Sequence, residues 1–159
     1  MTNTSEPIID LKPKLDAIRR RYSERYHLST EALVDAAALW GITPELHGVN
    51  SAGVFVLPQV DLQFAQSYYT AQLRLVQTPN GFWALSTRHS TPISGRSYAA
   101  SVWNRFAYRN ERDAHRAALQ ELTHAFKSHL QHDRPNSGQD LTALLADLEA
   151  ARTPQLALF

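Results

Sequence analysis

The sequence predicts an α+β fold: two N-terminal helices, an antiparallel sheet of three to five strands, a helix packed on the sheet, and a C-terminal tail helix. Three observations carry this prediction. Apolar residues recur at helical spacing in both terminal parts of the chain, and the middle is rich in aromatic and β-branched residues with alternating stretches. A Thr-Pro-Asn-Gly turn separates two of those stretches. Helices and strands that segregate along a chain in this way are typical of α+β proteins.

The first predicted helix lies in LKPKLDAIRRRYSERYHL, where Leu11, Leu15, Ile18 and Tyr22 fall on one helical face. Asp10 is suited to cap this helix. The second predicted helix begins at Ser29 or Thr30 and stops at Gly41. It is short and rich in alanine, so it needs a surface to pack against.

The predicted strands follow from residue 51 onward. They are GVFVL at 53–57, YYTAQLRLVQ at 68–77, FWALST at 82–87 and a further strand from about 98 to 103 or beyond. Pro79 suits the second position of a turn, and Gly81 suits a left-handed exit from it. Residues 78–81 therefore predict a hairpin between the second and third of these strands.

The next predicted helix starts after Asn110, which is suited to be an N-cap with Asp113 three residues on. One face of this helix carries mostly small side chains, at Ala114, Ala118, Leu122 and Ala125, so the helix could approach a sheet closely. HDRPNSGQD is a predicted linker, in which Ser137 and Asp140 resemble a second capping box. The last helix is expected to end near Arg152.

Composition limits the classes of function. The 159 residues fit one domain, with 43% hydrophobic and 19% charged residues, as is ordinary for a globular protein. The absence of cysteine excludes disulfides, thiolate chemistry, cysteine-ligated zinc and iron–sulfur clusters. With no basic leader followed by a long apolar stretch, we expect a cytoplasmic protein with no membrane partner. The expected organisation is an α+β domain at 1–130, a linker and tail helix at 131–154, and an interaction peptide at 155–159.

The tail ends in apolar residues that follow Pro154. Such residues either fold back into their own domain or bind in a hydrophobic groove of another protein. Gln155-Leu156-Ala157-Leu158-Phe159 resembles the pentapeptide by which replication and repair proteins bind the bacterial sliding clamp. That resemblance implies Leu158 and Phe159 as anchors in an apolar pocket, Leu156 in a neighbouring pocket and Gln155 at a polar rim. The resemblance indicates a binding partner for these five residues and gives no information about the folded part of the chain.

The middle of the chain carries a basic cluster. Residues 88–116 hold six arginines against two acidic residues, and aromatic residues at 98, 103, 106 and 108 lie among them. Guanidinium groups neutralise phosphates and aromatic rings stack on unpaired bases. The candidate nucleic-acid contacts are Arg88, Arg96, Arg105, Arg109, Arg112 and Arg116, of which the last three would share one helical face. The alternative is that Trp103 and Phe106 are core residues and the arginines solvate an outer surface.

The stretch from about Phe82 to Leu122 also resembles small modules of plasmid- and phage-borne proteins, some encoded near partition genes. The likeness lies in an aromatic strand, a Thr-Pro…Ser-Gly loop, a second aromatic strand and an alanine-rich helix. It carries no catalytic signature and favours an origin on a mobile element.

Other patterns are weaker. LVDAAALWGITPELHGV loosely resembles a helix-turn-helix, but its second half has no arginine or lysine. The run at 19–21 is typical of a solvated helix face. The histidines at 124, 129 and 132 lack metal-ligand spacing, and the acidic residues at 61, 111, 113 and 121 form no recognisable nuclease set. We therefore predict no catalytic residue, metal or cofactor.

These patterns lead to one expectation and two alternatives. The expectation is a non-enzymatic DNA-metabolism accessory protein that binds the sliding clamp, with a basic body touching DNA or a second replication or repair protein. One alternative is a nucleic-acid-binding regulator with no clamp partner, its tail packed internally. The other is a small metal-dependent nuclease with a site assembled from scattered residues.

Overall fold

The computed structural model of the chain describes residues 7–132 and 138–152. The predicted interaction peptide at 155–159 and the proposed cap at Ser137 lie outside the described residues. The strands are β1 (Ile8–Asp10), β2 (Gln59–Gln66), β3 (Tyr69–Gln77), β4 (Trp83–Ser90), β5 (Gly95–Ser97) and β6 (Phe106–Tyr108). The helices are α1 (Lys12–Tyr22), α2 (Thr30–Leu39), α3 (Pro44–His47), α4 (Glu111–His132) and α5 (Gly138–Arg152), with a 3₁₀ turn at Tyr26–Leu28.

The strands form one antiparallel sheet in the order β1-β6-β4-β3-β2, and β5 pairs with β4. In its register Ile8 lies opposite Tyr108, and Tyr108 lies opposite Trp83. Helices precede and follow the sheet, so the predicted α+β class is confirmed. The sheet has six strands where three to five were predicted, because it includes three strands of only three residues, β1, β5 and β6.

The chain divides into two compact units. Of the described residues, unit 1 comprises 7–60, 75–85 and 99–114, and unit 2 comprises 61–74, 86–98, 115–132 and 138–152. The organisation expected from the sequence, one α+β domain at 1–130 followed by a linker and tail helix, stays a prediction.

The core of unit 1 is built on the two N-terminal helices. The alanines of α2 at 32, 36 and 37 are fully buried, together with Leu15 and Ile18 of α1, which confirms that α2 needs a packing surface. Trp40 follows α2 and packs edge-on against Phe55, with ring centroids 5.4 Å apart. Burying side chains of this size is the main source of stability in a small core.

The predicted start and stop of α2 agree with the structure, whereas the N-cap of α1 is Leu11 and not Asp10, which precedes it. The Asp10 carboxylate accepts a hydrogen bond from the Lys12 amide at 2.9 Å, and Ser29 Oγ accepts one from the Ala32 amide at 3.2 Å. These bonds satisfy amides that have no partner within the first helical turn. Gly41 follows α2 with a φ of 66°, a conformation that favours glycine.

The predicted hairpin is also confirmed. The Thr78 amide donates to the Phe82 carbonyl at 2.7 Å, and the Gly81 amide donates to the Thr78 carbonyl at 2.8 Å. Gly81 has a φ of 90°. The turn therefore joins β3 to β4 as the sequence predicts.

Two predicted strands are wrong. Residues 53–57 and 98–103 form only isolated bridges, Val49 with Phe55 and Val54 with Ser101. Their amides are used in loop contacts instead: Phe55 donates to the Ala100 carbonyl at 3.1 Å, and Val102 donates to the Gly53 carbonyl at 2.9 Å. Apolar residues in these segments face a core without belonging to a ladder, which residue type alone does not distinguish. Strands β1, β2 and β5 were not predicted, and β6 begins three residues after the predicted strand near 98–103.

Unit 2 contains most of α4 and all of α5. Ala118, Leu119, Leu122 and Phe126 of α4 are fully buried, as are Leu144 and Leu148 of α5. The predicted cap of α4 is confirmed, because Asn110 Oδ1 accepts from the Asp113 amide at 2.8 Å. The tail helix ends at Arg152, as predicted. Within the described residues, none of the helices has the length and apolar character needed to cross a membrane.

Candidate nucleic-acid interface

Arg105 is engaged in an ion pair inside unit 1. Its Nε and Nη2 atoms donate to the two carboxylate oxygens of Asp10 at 3.0 and 2.8 Å. The guanidinium also lies over the Phe106 ring, 4.7 Å from its centroid. The hydrogen bond from Arg105, and after it the Lys12 amide, holds the pKa of Asp10 below its ordinary value, and Asp10 in turn raises the pKa of Arg105. A phosphate would have to compete with this bidentate carboxylate for Arg105.

Arg109 does not belong to the helix face on which it was expected. Helix α4 begins at Glu111, and the Arg109 amide donates to the Pro7 carbonyl at 3.0 Å. Its guanidinium lies 5.5 Å from the centroid of the Phe82 ring. The expected alignment of three arginines on one helix was therefore wrong for Arg109. Arg112 and Arg116 are exposed and lie four residues apart on α4, so these two do share a helical face.

Arg88 and Arg96 emerge from opposite faces of the sheet in unit 2. Strand β5 pairs with β4 so that Arg88 lies opposite Ser97 and His89 lies opposite Arg96. Successive residues of a strand point to opposite faces, and directly opposed residues share a face. Arg96 is therefore on the face of His89, whose ring packs edge-on against Phe126 of α4. A single flat phosphate backbone cannot contact both arginines along one face.

Some aromatic residues of the basic cluster are core residues, and others are exposed enough to stack on a base. Tyr108 is buried, and Trp103 is partly buried against the core of unit 1, where its ring packs edge-on against Tyr26 at 5.2 Å. These two are structural. Phe106 and Tyr98 remain partly exposed.

Unit 2 carries a basic stripe on α4 that was not predicted from the sequence. Arg116, Gln120, His124 and Lys127 lie at i, i+4, i+8 and i+11, and all four are exposed. They project opposite the buried face of the helix. Neither Arg116 nor Lys127 forms an ion pair within residues 7–132 and 138–152. We call these four residues the α4 stripe; the i+4 spacing from Arg116 is the signal that would have found them.

Glu121 lies beside the stripe but is held toward the sheet. Its carboxylate oxygens accept hydrogen bonds from Thr87 Oγ1 at 2.8 Å and from the Tyr98 hydroxyl at 2.9 Å. Burial and then the positive charge of Arg96 lower the pKa of nearby His89, while Glu121 acts in the opposite direction. Because two hydroxyl groups donate hydrogen bonds to Glu121, its negative charge repels a bound anion less than that of a carboxylate without donors would.

Several other charged residues form local contacts, including two of the acidic residues for which no nuclease role was predicted. Arg74 donates to Asp61 at 2.8 Å, and Asp113 accepts from the side chain of Asn110 at 2.8 Å. Arg19 donates to Asp16 at 3.2 Å and lies over the Tyr26 ring, which agrees with a solvated helix face. In the part of the chain that the structure describes, no group of three or more histidine or acidic side chains is placed to hold a metal ion.

The helix-turn-helix alternative is wrong. Its second helix would be α3, which has only four residues and is too short to lie in a DNA groove. This part of unit 1 instead borders a groove of about 800 Å³. The described residues that line it include exposed Val34 and Leu28 but no arginine or lysine, so the groove does not suit nucleic acid.

The predicted clamp-binding residues, Gln155, Leu156, Leu158 and Phe159, lie outside the described residues, so their placement stays a prediction. Within the described residues, the α4 stripe is the arrangement best suited to a phosphate backbone. Comparison with protein-family models, with curated proteins and with solved structures finds no match to this chain.

Proposed function

We propose that this protein is a non-enzymatic DNA-metabolism accessory protein of a bacterium, phage or plasmid, which docks on the bacterial sliding clamp through residues 155–159. The single observation that carries the proposal is the pentapeptide Gln155-Leu156-Ala157-Leu158-Phe159. Four of its five positions have the residue type that the clamp-binding peptide favours.

The position of the peptide next to α5 supports docking. Helix α5 ends at Arg152, and Pro154 lacks the amide hydrogen that a continuing helix would require. A short segment therefore separates the helix from the pentapeptide. Leu158 and Phe159 would enter an apolar pocket, while Leu156 would fill a neighbouring one. Because few side chains are buried and the peptide must be ordered, we expect a Kd on the order of micromolar.

A synthetic peptide of residues 150–159 tests this proposal directly. It should bind purified bacterial clamp in a calorimetric or fluorescence-polarisation titration, and Leu158→Ala with Phe159→Ala should abolish the binding. A matched control peptide with Ala157→Ser should bind nearly as well, since that side chain faces outward. Lack of association at clamp concentrations well above micromolar would remove the proposal.

The body of the protein is proposed to contact DNA or a second replication or repair protein. The α4 stripe supports this part, because Arg116 and Lys127 are exposed and have no acidic partner among the described residues. Clamp docking would raise the local concentration of DNA near this surface, so a weak backbone contact would be sufficient. Loss of clamp binding and loss of DNA binding are measured separately, so either part of the proposal can fail alone.

A further inference from the structure

We propose that unit 2 contains a binding cavity for a phosphoryl group, formed by His89, His129 and Ser94 beside Arg96. This inference goes beyond the clamp-binding function and does not depend on it. It assigns a small anionic ligand to a place where the structure brings together imidazole, hydroxyl and guanidinium groups from β4, β5, α4 and the loop between β4 and β5.

The cavity has a volume of about 330 Å³. It is lined by His89, Thr91, Ser94, Ala125, Ser128 and His129. This volume is at the lower end of the range for ligand sites, so it suits a phosphoryl group better than a whole nucleotide.

The donors come from three separate segments whose positions are set by packing. The ring of His89 packs edge-on against Phe126 with centroids 5.6 Å apart, and that of His129 packs edge-on against Tyr69 at 5.9 Å. Each imidazole has one N–H when neutral and two when protonated. Phosphate has several acceptor oxygens and forms its strongest hydrogen bonds with charged donors.

The loop that carries Ser94 is held by Thr91. The Thr91 amide donates to the Ser94 carbonyl at 2.7 Å, and Thr91 Oγ1 accepts from the Ser94 amide at 3.0 Å. The two hydroxyls lie 3.0 Å apart. Thr91 Oγ1 also donates to the Ser94 carbonyl at 3.2 Å, so the Ser94 hydroxyl, which lines the cavity, would exchange its hydrogen bond with Thr91 for one with a ligand.

The charges around His89 favour an anion over a cation. Arg96 lies opposite His89 on the same face of the sheet, and His129 approaches from α4. Glu121, also on α4, is the acidic group that faces His89, and it already accepts from Thr87 and Tyr98. Arg96 offsets this one carboxylate, and a proton taken up by His89 when an anion binds would make the positive groups outnumber it.

The same charges make binding depend on pH. Burial, Arg96 and His129 all lower the pKa of His89, with Glu121 opposing. A bound phosphate favours the protonated ring and therefore raises this pKa. By linkage, and at a fixed charge on the phosphate, binding tightens as the pH falls, by up to about tenfold for each unit by which the ligand raises this pKa.

The test is an NMR titration of the histidine ring resonances in the full chain. Inorganic phosphate is added at pH 6, and sodium chloride at equal ionic strength is the reference. We expect the His89 and His129 signals to shift and saturate, while those of His27, which is exposed in unit 1, do not. His89→Gln and Arg96→Gln should each weaken binding by about tenfold or more, the effect of losing one charge-assisted hydrogen bond.

Two sources of the phosphoryl group are separated by a second titration. A short single-stranded oligonucleotide with a 5′-phosphate is compared with the same oligonucleotide lacking it. A nucleic-acid end is the ligand if the phosphorylated oligonucleotide shifts the His89 and His129 signals and binds more tightly than both the unphosphorylated oligonucleotide and inorganic phosphate. Free phosphate is the ligand if the 5′-phosphate gives no gain over inorganic phosphate.

Three results would overturn the proposal that this cavity binds a phosphoryl group. The first is the absence of any shift with phosphate, and the second is a shift that His27 shares equally. The third is an unchanged affinity for phosphate in Arg96→Gln. Because Arg96 is exposed, this variant should keep its fold, which circular dichroism checks. Clamp binding by residues 150–159 is unaffected by any of these results, so the two proposals fail independently.

Discussion

The indole Nε1 of Trp40 donates a hydrogen bond of 3.0 Å to the backbone carbonyl of Val102. Both residues are fully buried. The bond joins the end of α2 to a segment 62 residues further along the chain, in a region that has no regular ladder. A buried acceptor in such a segment needs a specific donor, and Trp40 supplies it.

Replacing Trp40 with Phe should therefore destabilise the protein. The ring volume is partly kept, but the Val102 carbonyl loses this donor in a buried site, at a cost of about 1 to 3 kcal/mol. Chemical denaturation followed by fluorescence or circular dichroism measures the change. Val34→Ala on the exposed side of the same helix is the control and should change stability by less than about 0.5 kcal/mol. Equal stability of Trp40→Phe and wild type would contradict a structural role for this bond.

Two glycines separate the effect of backbone conformation from that of crowding. Gly53 and Gly81 have φ values of 84° and 90°. A Cβ at Gly53 would lie 2.6 Å from Trp103 Nε1, whereas one at Gly81 would meet nothing within 4 Å. Gly81→Ala should cost about 1 to 2 kcal/mol from the left-handed conformation alone. Gly53→Ala should cost at least about 1 kcal/mol more, because neighbouring side chains must move. Matching thermal denaturation curves for the two variants would count against this packing.

Removing Leu158 and Phe159 distinguishes clamp docking from internal packing of the tail. If these residues serve a partner, the deletion should abolish clamp binding and change the free energy of unfolding by less than about 0.5 kcal/mol. If they pack in their own domain, stability falls by several times that amount, since two large apolar side chains lose their burial. Differential scanning calorimetry of the intact and shortened chains decides between the two.

The α4 stripe predicts a salt-dependent affinity for DNA. Arg116→Gln and Lys127→Gln should each weaken binding without regard to sequence, and each should reduce the slope of log K against log salt by about 0.9. Arg74→Gln is a matched control, because Arg74 is paired with Asp61 in the same unit. Fluorescence anisotropy over a salt series gives the slopes. A slope that falls equally in all three variants would mean that net charge, and not the stripe, carries the binding.

The lowered pKa of His89 predicts a loss of stability at mildly acidic pH. In the unfolded chain this ring titrates near its ordinary pKa of about 6.5; in the folded chain burial, Arg96 and His129 lower the value, and Glu121 opposes them. The unfolded state therefore binds more protons as the pH falls below about 6.5, so stability is full above that value and decreases toward the folded pKa. In phosphate-free buffer, His89→Gln should flatten this part of the stability profile. His124→Gln, altered at an exposed site on α4, should leave it unchanged.

Much of the local structure follows from the sequence because its causes are local. The caps of α2 and α4, the Thr78-to-Gly81 turn and the end of the tail helix each depend on neighbouring residues. The strands near 53–57 and 98–103 were predicted wrongly, because whether an apolar segment joins a ladder depends on partners distant in sequence. Strand β2 was missed although its signal is local, because Val60, Leu62 and Phe64 alternate with polar residues and β2 pairs with β3, which begins only three residues after β2 ends.

The sequence by itself determined the α+β class, the absence of cysteine chemistry and the presence of the pentapeptide at 155–159, since each is a property of residue type and order. Only the tertiary structure decided which charges act together. It paired Arg105 with Asp10, turned Arg88 and Arg96 to opposite faces, and set His89 and His129 at one cavity. Strand register and helix packing bring distant residues into contact, and neither is encoded in the spacing of charges along the chain.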